Sequence, residues 1–193
     1  MEPVHAAIHV GIILALSGSI TDGQIRALET EAAAVWRPYG VDVAWFNANA
    51  DCNADDRMSG TPVDRMLRLV ADAGETSNGA LGAVRFEKGI PDDTIHLLYA
   101  PLTRIVLESS IGSWSIGLLA PSLRDRMVGQ AFGRVVAHEL GHILLGLPSH
   151  DKSGLMRSRF DSVDLVGWDS DRLKLSKPDA HRLAERLRVL ASP

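Results

Sequence analysis

The chain has 193 residues, 46% of them hydrophobic and 23% charged, which is the composition of a folded globular protein and excludes general disorder. Its net charge of −4 lacks the basic footprint of a nucleic-acid-binding protein, so we expect no nucleic-acid partner. The single cysteine, Cys52, excludes a disulfide framework within the chain. Its polar surroundings favour an ordinary loop thiol over a metal-binding role.

The apolar run from Val4 to Ile20 is interpreted as part of the fold rather than as a signal peptide or a membrane span. The short segment before it carries Glu2 and no lysine or arginine, and no small-residue cleavage site follows. The run is also too short and too polar to cross a bilayer. We therefore assign Ala6–Leu14 to a buried first strand and expect no membrane partner, whereas the cellular compartment stays open.

The first fifty residues predict a strand, a helix and a second strand. Thr21 and Gln24 form a capping-box pattern that opens a helix, and Gly40 lies where that helix should have ended. Val41–Phe46 alternates in polarity and is rich in β-branched and aromatic residues, which predicts the second strand. This order favours a right-handed crossover within a mostly parallel sheet.

The middle of the chain predicts further strands. Residues 47–62 are loop-like, and Val63–Ala73 fits either a strand or a short helix. Ala80–Phe86 and Thr94–Tyr99 are short strand candidates, separated by a predicted turn at 87–93. An antiparallel pair here would put a strand near the sheet edge, where a peptide could be added by backbone pairing.

A long helix is predicted in the second half of the chain. Ser122 resembles its cap, apolar residues at helical spacing continue to about Leu145, and Gly146 is a suitable stop. Before it, Pro101–Ser109 could be helical, and residues 113–119 fit either a strand or a loop.

This long helix carries small residues at every fourth position. An interior glycine costs about 1 kcal/mol relative to alanine, so we expect a compensating contact. The favoured interpretation is close packing against a neighbouring element, and the alternative is clearance for a metal or substrate. The residues concerned are Gly129, Gly133, Ala137 and Gly141.

The C-terminal part is predicted to end in a helix. Asp161–Lys174 is mixed in character, with Trp168 and Leu173 expected to pack against the core. Ser176 is a plausible cap for the last helix. The apolar stripe of that helix consists of Leu183, Leu187 and Leu190.

The strongest chemical signal is the sequence His138-Glu139-Leu140-Gly141-His142, which falls on the long predicted helix. Histidines four residues apart project from one helix face, so both rings can reach a single Zn²⁺. Glu139 can then stand beside the metal and take a proton from a water molecule that the metal holds. Because a Gly-Leu-Pro break follows the helix, His150 can fold back as a third ligand and leave the fourth position to water.

These residues resemble the metzincin clan of zinc peptidases, whose pattern is H-E-x-x-H-x-x-G-x-x-H followed by a methionine turn. His138, Glu139 and His142 match that pattern position for position. Residues Ser153 to Met156 look like a compressed methionine turn. The span from the first histidine to the methionine is similar to that of matrixins, and residues 130–157 also resemble a group of bacterial metzincin-like proteins.

The resemblance is incomplete at two positions. The glycine of the pattern falls on Leu145, and its third histidine falls on Pro148. We interpret this as a local insertion of two residues, which moves the third ligand to His150.

The resemblance implies a zincin-like α+β fold, with a twisted, mostly parallel sheet, an active-site helix and a small C-terminal subdomain. Residues 1–193 would form one catalytic domain, with an upper subdomain at about 1–146 and a lower one at about 147–193. The implied function is that of a zinc-dependent endopeptidase acting on peptide or protein substrates as a monomer. In this reading Zn²⁺ is held by His138, His142 and His150, and Glu139 acts as general base and then as general acid.

Other functions stay open beside this one. The displaced third ligand leaves room for a catalytically inactive zinc-binding protein that uses a zincin scaffold as a binding module. A gluzincin-like peptidase would need Glu185 as a ligand, which no motif supports. A zinc endoribonuclease is disfavoured because the chain is acidic.

The residues after Met156 bear on the choice of substrate. Arg157 and Arg159 could favour a substrate that carries a carboxylate. Solvated surface arginines are the favoured interpretation of both.

Overall fold

The computed structural model of the chain describes residues 8–16, 20–48, 63–74 and 79–190. Cys52 and most of the predicted loop at 47–62 lie outside these ranges. So do the first two residues of the predicted first strand.

The described residues contain one five-stranded sheet with the strand order β2-β1-β3-β5-β4. Its strands are β1 (Ile8–Ala15), β2 (Val41–Asn47), β3 (Arg65–Asp72), β4 (Gly82–Glu87) and β5 (Ile90–Leu98). β1 pairs in parallel with β2 and β3, and β3 pairs in parallel with β5. β4 runs antiparallel to β5 and forms one edge of the sheet. The predicted mostly parallel sheet is confirmed, and the undecided segment 63–73 is a strand.

Helix α1 (Asp22–Trp36) connects β1 to β2. The Thr21 hydroxyl accepts a hydrogen bond from the Gln24 backbone N–H at 3.2 Å, and the Gln24 side chain accepts one from the Thr21 N–H at 3.2 Å. After a short 3₁₀ turn, Gly40 adopts a φ of 72°, a value that glycine reaches without steric cost. The capping box and the strand–helix–strand order are confirmed.

The turn between β4 and β5 is shorter than the predicted turn at 87–93. It consists of Lys88 and Gly89, whose φ values are 51° and 83°, as in the tightest hairpin turns. Pro91 therefore lies inside β5, where a turn residue was expected. This is tolerated because β3 pairs with β5 only from Thr94 onward, so no neighbouring strand needs a donor on that side of Pro91.

Four more helices and a small hairpin complete the described part of the fold. The helices are α2 (Tyr99–Glu108), α3 (Pro121–Leu145), α4 (Ser162–Val166) and α5 (Lys177–Leu190), and the hairpin strands are β6 (Ser110–Ile111) and β7 (Trp114–Ser115). Short 3₁₀ turns lie at Ile116–Leu118 and Ser170–Leu173.

Helix α3 begins differently from the prediction and ends as predicted. Ser122 is not its cap, because Pro121 is the first helical residue and Ala120 precedes it without a side-chain hydrogen bond. The fixed φ of proline suits that first position, where no N–H partner is required. At the other end Gly146 adopts a φ of 66° and terminates the helix.

The small residues of α3 serve close packing. A side chain at Gly133 would lie 2.7 Å from the Leu28 carbonyl oxygen and from the Glu31 side chain, and one at Gly129 would collide with the backbone at Gln24. Helix α1 thus lies directly against α3. At the end of the contact, the Trp36 indole N–H donates to the Ala137 carbonyl at 3.1 Å. The close-packing interpretation is confirmed at these positions.

The last helix and the packing of Leu173 match the predictions for the C-terminal part, Trp168 differs, and the Leu190 side chain lies outside the described part of the structure. Leu173 is buried, but Trp168 is 69% exposed because it lies in a bend after α4 has ended. Ser176 caps the last helix, since its hydroxyl accepts a hydrogen bond from the Asp179 N–H at 3.3 Å. Leu183 of that helix is buried in the core.

Among the described residues, no helix combines the length and the apolar character needed to cross a membrane.

Candidate metal centre

Helix α3 places two of the predicted ligands beside each other. His138 and His142 lie one turn apart on its buried face, with 6% and 5% of their surface exposed. Their Nε2 atoms are 3.1 Å apart, and their ring planes are nearly perpendicular at 86°. The spacing of four residues therefore brings both rings to one point.

The helix end brings the third histidine to the same point. Gly146 reverses the chain, and the Leu147 N–H donates to the His142 carbonyl at 3.2 Å. A further hydrogen bond, from the Asp151 N–H to the Met156 carbonyl at 2.7 Å, closes the following loop. As a result the His150 Nε2 lies 3.2 Å from that of His142.

Backbone carbonyl groups determine which ring nitrogens are free. The His138 Nδ1 lies 2.7 Å from the Leu155 carbonyl oxygen, and the His142 Nδ1 lies 2.6 Å from the Leu147 carbonyl oxygen. Since a carbonyl only accepts hydrogen bonds, each Nδ1 carries the proton and each Nε2 presents a lone pair. The short contact between these two Nε2 atoms is therefore not a hydrogen bond.

This arrangement fits a tetrahedral metal ion. Two nitrogens bound to Zn²⁺ at about 2.0–2.1 Å are about 3.3 Å apart when the geometry is tetrahedral. The two Nε2 separations of 3.1 and 3.2 Å agree with that spacing. Within the described ranges, His138, His142 and His150 are a group of side chains that could bind a metal.

The surroundings keep the histidine rings neutral, which ligation requires. Burial lowers the pKa of His138 to about 3; the charges of the other two histidines act in the same direction, and the hydrogen bond to Leu155 opposes them. Burial likewise lowers the pKa of His142 and that of His150.

Glu139 lies next to these rings in a dry environment. It is 5% exposed, and burial raises its pKa to about 8, although a hydrogen bond from the Val84 backbone opposes the shift. A side chain at Gly82 would approach the Glu139 carboxylate oxygen to 2.8 Å. Strand β4 thus contacts the carboxylate through Gly82 and Val84, and glycine at position 82 makes room for it.

Met156 and Phe160 support the site from the other end of the loop. Met156 is buried directly against Gly141, so that a side chain at position 141 would collide with its sulfur. The Phe160 ring lies edge-on to the His138 ring, with 5.4 Å between the centroids.

A buried carboxylate holds the chain that follows Met156. The Asp164 side chain is 1% exposed, and its carboxylate forms ion pairs with Arg157 at 2.5 Å and with Arg172 at 2.7 Å. Arg157 also donates to the Gly154 carbonyl at 2.9 Å. Arg134 of α3 reaches the Asp164 carbonyl at 2.8 Å and so connects this network to the helix that carries the histidines.

The site opens into a cavity of about 470 Å³. The three histidines and Glu139 line it, together with β4 on one side and residues 157–160. Strand β4, the edge strand of the described sheet, is therefore beside the predicted catalytic residue, as the predicted edge strand suggested.

The structure brings all four predicted site residues together, although their catalytic and metal-binding roles stay predictions. The carbonyls of Leu147 and Leu155 and the contacts of Val84 were not recognised from the sequence, because backbone groups carry no residue-type signal. Gly82 did have a signal, since glycine inside a strand often marks a close approach.

The fold thus brings three histidines into a cluster that could bind a metal. The crystal structure of archaemetzincin from Methanopyrus kandleri is similar to this chain, with a TM-score of 0.53 and 17% sequence identity. The match covers 97% of this chain and 99% of that one. At this identity the likeness is one of fold, and it confirms the predicted fold class.

The comparison does not support the finer resemblance to matrixins. No model of a known protein family matches the chain, and no curated protein matches it.

Proposed function

We propose that the chain is a zinc-dependent endopeptidase that hydrolyses peptide bonds in peptide or protein substrates. The supporting observation is the convergence of three histidine Nε2 atoms beside a buried glutamate, in a cavity bordered by a free strand edge. In this proposal His138, His142 and His150 hold Zn²⁺, and Glu139 is the catalytic residue.

The donor set favours zinc over harder ions. Three neutral imidazoles suit zinc and other late transition metals, whereas Mg²⁺ and Ca²⁺ prefer oxygen ligands. Bound Zn²⁺ would polarise the scissile carbonyl and activate a water molecule for attack.

Glu139 is suited to moving a proton in both directions. Burial raises the pKa of Glu139 to about 8 without a metal, and the charge of bound Zn²⁺ would lower that pKa toward neutral pH, where a carboxylate can accept a proton and give it back. We propose that Glu139 takes the proton from the attacking water and then delivers it to the leaving amine.

Strand β4 offers a place for the substrate backbone. Among the described strands β4 pairs only with β5, so its outer edge could add an extended peptide, except at the Val84 N–H, which donates to Glu139. Because Gly82 and Val84 of this strand contact Glu139, a peptide paired there would pass beside the catalytic carboxylate.

Metal analysis combined with a proteolysis assay tests this function. We expect Glu139→Ala to keep its zinc and lose cleavage, and His150→Ala to lose most of its zinc. His181→Ala is the matched control, because that side chain is 76% exposed on α5. Unchanged zinc content in His150→Ala would contradict the ligand assignment.

The same assay separates the peptidase from its alternative. A wild-type protein that binds zinc but cleaves nothing in a broad peptide library would instead be a zinc-binding module on a zincin scaffold.

A further inference from the structure

Residues 157–160, here called the wall segment, form one side of the cavity next to the metal ligands. Phe160 fixes the position of this segment through its contact with the His138 ring at 5.4 Å. Two arginines, Arg157 and Arg159, belong to it, and their environments differ.

Arg157 is fully engaged by the protein. Besides its ion pair with Asp164, it donates to the Gly154 carbonyl at 2.9 Å and to the Arg172 carbonyl at 2.8 Å. Only 14% of its side chain is exposed. The interpretation of Arg157 as a solvated surface arginine is therefore wrong, and its charge is compensated by a buried carboxylate.

Arg159 is exposed, lines the same cavity, and makes no hydrogen bond or ion pair with any residue in the described ranges. Among the described residues that line the cavity, the only carboxylate is that of Glu139, which lies at the buried site of the proposed reaction. Arg159 thus supplies a positive charge that the cavity itself does not neutralise.

From this difference we propose that Arg159 selects substrates that carry a carboxylate close to the scissile bond. The inference rests on the proposed peptidase function and specifies its substrate class. A guanidinium presents a planar fork of N–H donors that matches a carboxylate, and such charge-assisted pairs are stronger than neutral hydrogen bonds. Either an acidic side chain or the C-terminal carboxylate of a short peptide supplies this chemistry.

The position of the wall segment limits where the carboxylate lies. Arg159 is adjacent to Phe160, whose ring contacts His138, and neighbouring Cα atoms are about 3.8 Å apart. An extended substrate advances about 3.3 Å per residue. Because Arg159 and His138 line the same cavity, we expect the selected carboxylate within about three residues, roughly 10 Å, of the scissile bond.

Matched peptide pairs test this selection. One set carries Glu or Gln at each of the three positions on either side of the cleaved bond, and a second set ends in a free acid or an amide. Each pair gives a ratio of kcat/KM values for wild type, Arg159→Gln, Arg159→Glu and Arg26→Gln. Arg26 is the control because it is exposed on α1 and does not line the cavity.

We expect wild type and Arg26→Gln to prefer the acid by about tenfold in at least one pair. Arg159→Gln should bring that ratio near one, and Arg159→Glu should reverse it. The peptide pair whose ratio changes shows whether Arg159 recognises an acidic side chain or a terminal carboxylate. Ratios near one in wild type, or an acid preference that survives in Arg159→Gln, overturn the inference while cleavage itself supports the proposed function.

A binding measurement distinguishes failure of the inference from failure of the function. Zinc-loaded protein is titrated with two peptide hydroxamates that differ only by Glu or Gln. Tighter binding of the Glu compound that is lost in Arg159→Gln supports the inference. Equal affinities for the two compounds overturn the inference and leave the proposed function standing. If neither compound binds the zinc-loaded protein, the proposed function fails and the inference fails with it.

Discussion

The two histidines on α3 differ from His150 in how their rings are held. A backbone carbonyl orients each of the first two rings through Nδ1, at 2.7 Å for His138 and 2.6 Å for His142. Such acceptors orient the ring of a ligating histidine and increase its basicity. Because both acceptors are main-chain atoms, side-chain substitution cannot remove them, which protects the geometry of the site.

Gly82 is the residue at which the position of Glu139 is most easily disturbed. We expect Gly82→Ala to keep zinc and to lower kcat by about 100-fold, because the new methyl group would displace the catalytic carboxylate by about 1 Å. Steady-state kinetics and metal analysis of the purified variant check this. Gly74→Ala, whose new methyl group would have no atom within 4 Å, should retain wild-type kcat. Full activity in Gly82→Ala would show that the close approach does not position Glu139.

At the scale of elements, the loop after α3 is held by ionic contacts as well as by the buried side chains of Leu155 and Met156. Arg134, Arg157 and Arg172 all converge on Asp164 in α4. The segment contributes Met156 and Phe160 to the site, so the geometry of the site depends on a carboxylate that contacts none of the ligands. The sequence offered no signal for this hub, because Asp164 looks like any helix-capping acid.

We predict that Asp164→Asn lowers the free energy of unfolding by about 3 kcal/mol, because it leaves two arginines without their shared buried partner. Urea denaturation measures the loss. Asp171→Asn is the control, since Asp171 pairs with Lys174 at 2.7 Å on an open surface, where a pair contributes at most about 1 kcal/mol. Equal losses in both variants would contradict the role of Asp164 as a hub.

The same carboxylate should make stability depend on acid. Burial raises the pKa of Asp164, but hydrogen bonds from Arg172 and from the Asp161 backbone, together with both arginine charges, outweigh burial and lower the pKa below 3.8. A lowered carboxylate pKa contributes stability above the unfolded value, and that contribution is lost as pH falls through the folded value. Thermal midpoints from about pH 6 to about pH 2 should therefore converge for wild type and Asp164→Asn at the acid end. A constant difference between the two proteins would refute this assignment.

At the scale of the whole molecule, zinc should stabilise the folded state. The proposed ligands lie on α3 and on the loop beyond it, so the unfolded chain does not present them together. Zinc at 100 times its Kd would add about 2.7 kcal/mol to the free energy of unfolding. Thermal unfolding of the chelator-treated protein against added zinc measures the gain, which His150→Ala should reduce and His181→Ala should not. A midpoint independent of zinc would argue against the site.

Local patterns predicted much of this fold. Thr21 and Gln24 identified the start of α1, Gly146 identified the end of α3, and the four-residue histidine spacing placed two rings on one face. These features depend on short-range geometry, which the sequence encodes directly.

Features set by distant contacts were harder to predict. Pro91 looked like a turn residue because its tolerance inside β5 depends on how far β3 extends along that strand. Trp168 was expected to pack, but its exposure depends on where α4 ends. The return of His150 to the cluster was predicted from the Gly-Leu-Pro break after the helix and from the resemblance, whereas the hydrogen bonds that place it became visible only in the folded loop.

The close contact between α1 and α3 also affects how the protein is made. Trp36 and Ala137, which the contact joins, are 101 residues apart, so α1 leaves the ribosome long before its partner exists. At typical synthesis rates of about 5–20 residues per second, the apolar face of α1 waits about 5 to 20 s for α3. During that interval the nascent chain exposes a surface on which other chains can aggregate, and the proposed metal centre can form only when that exposure ends.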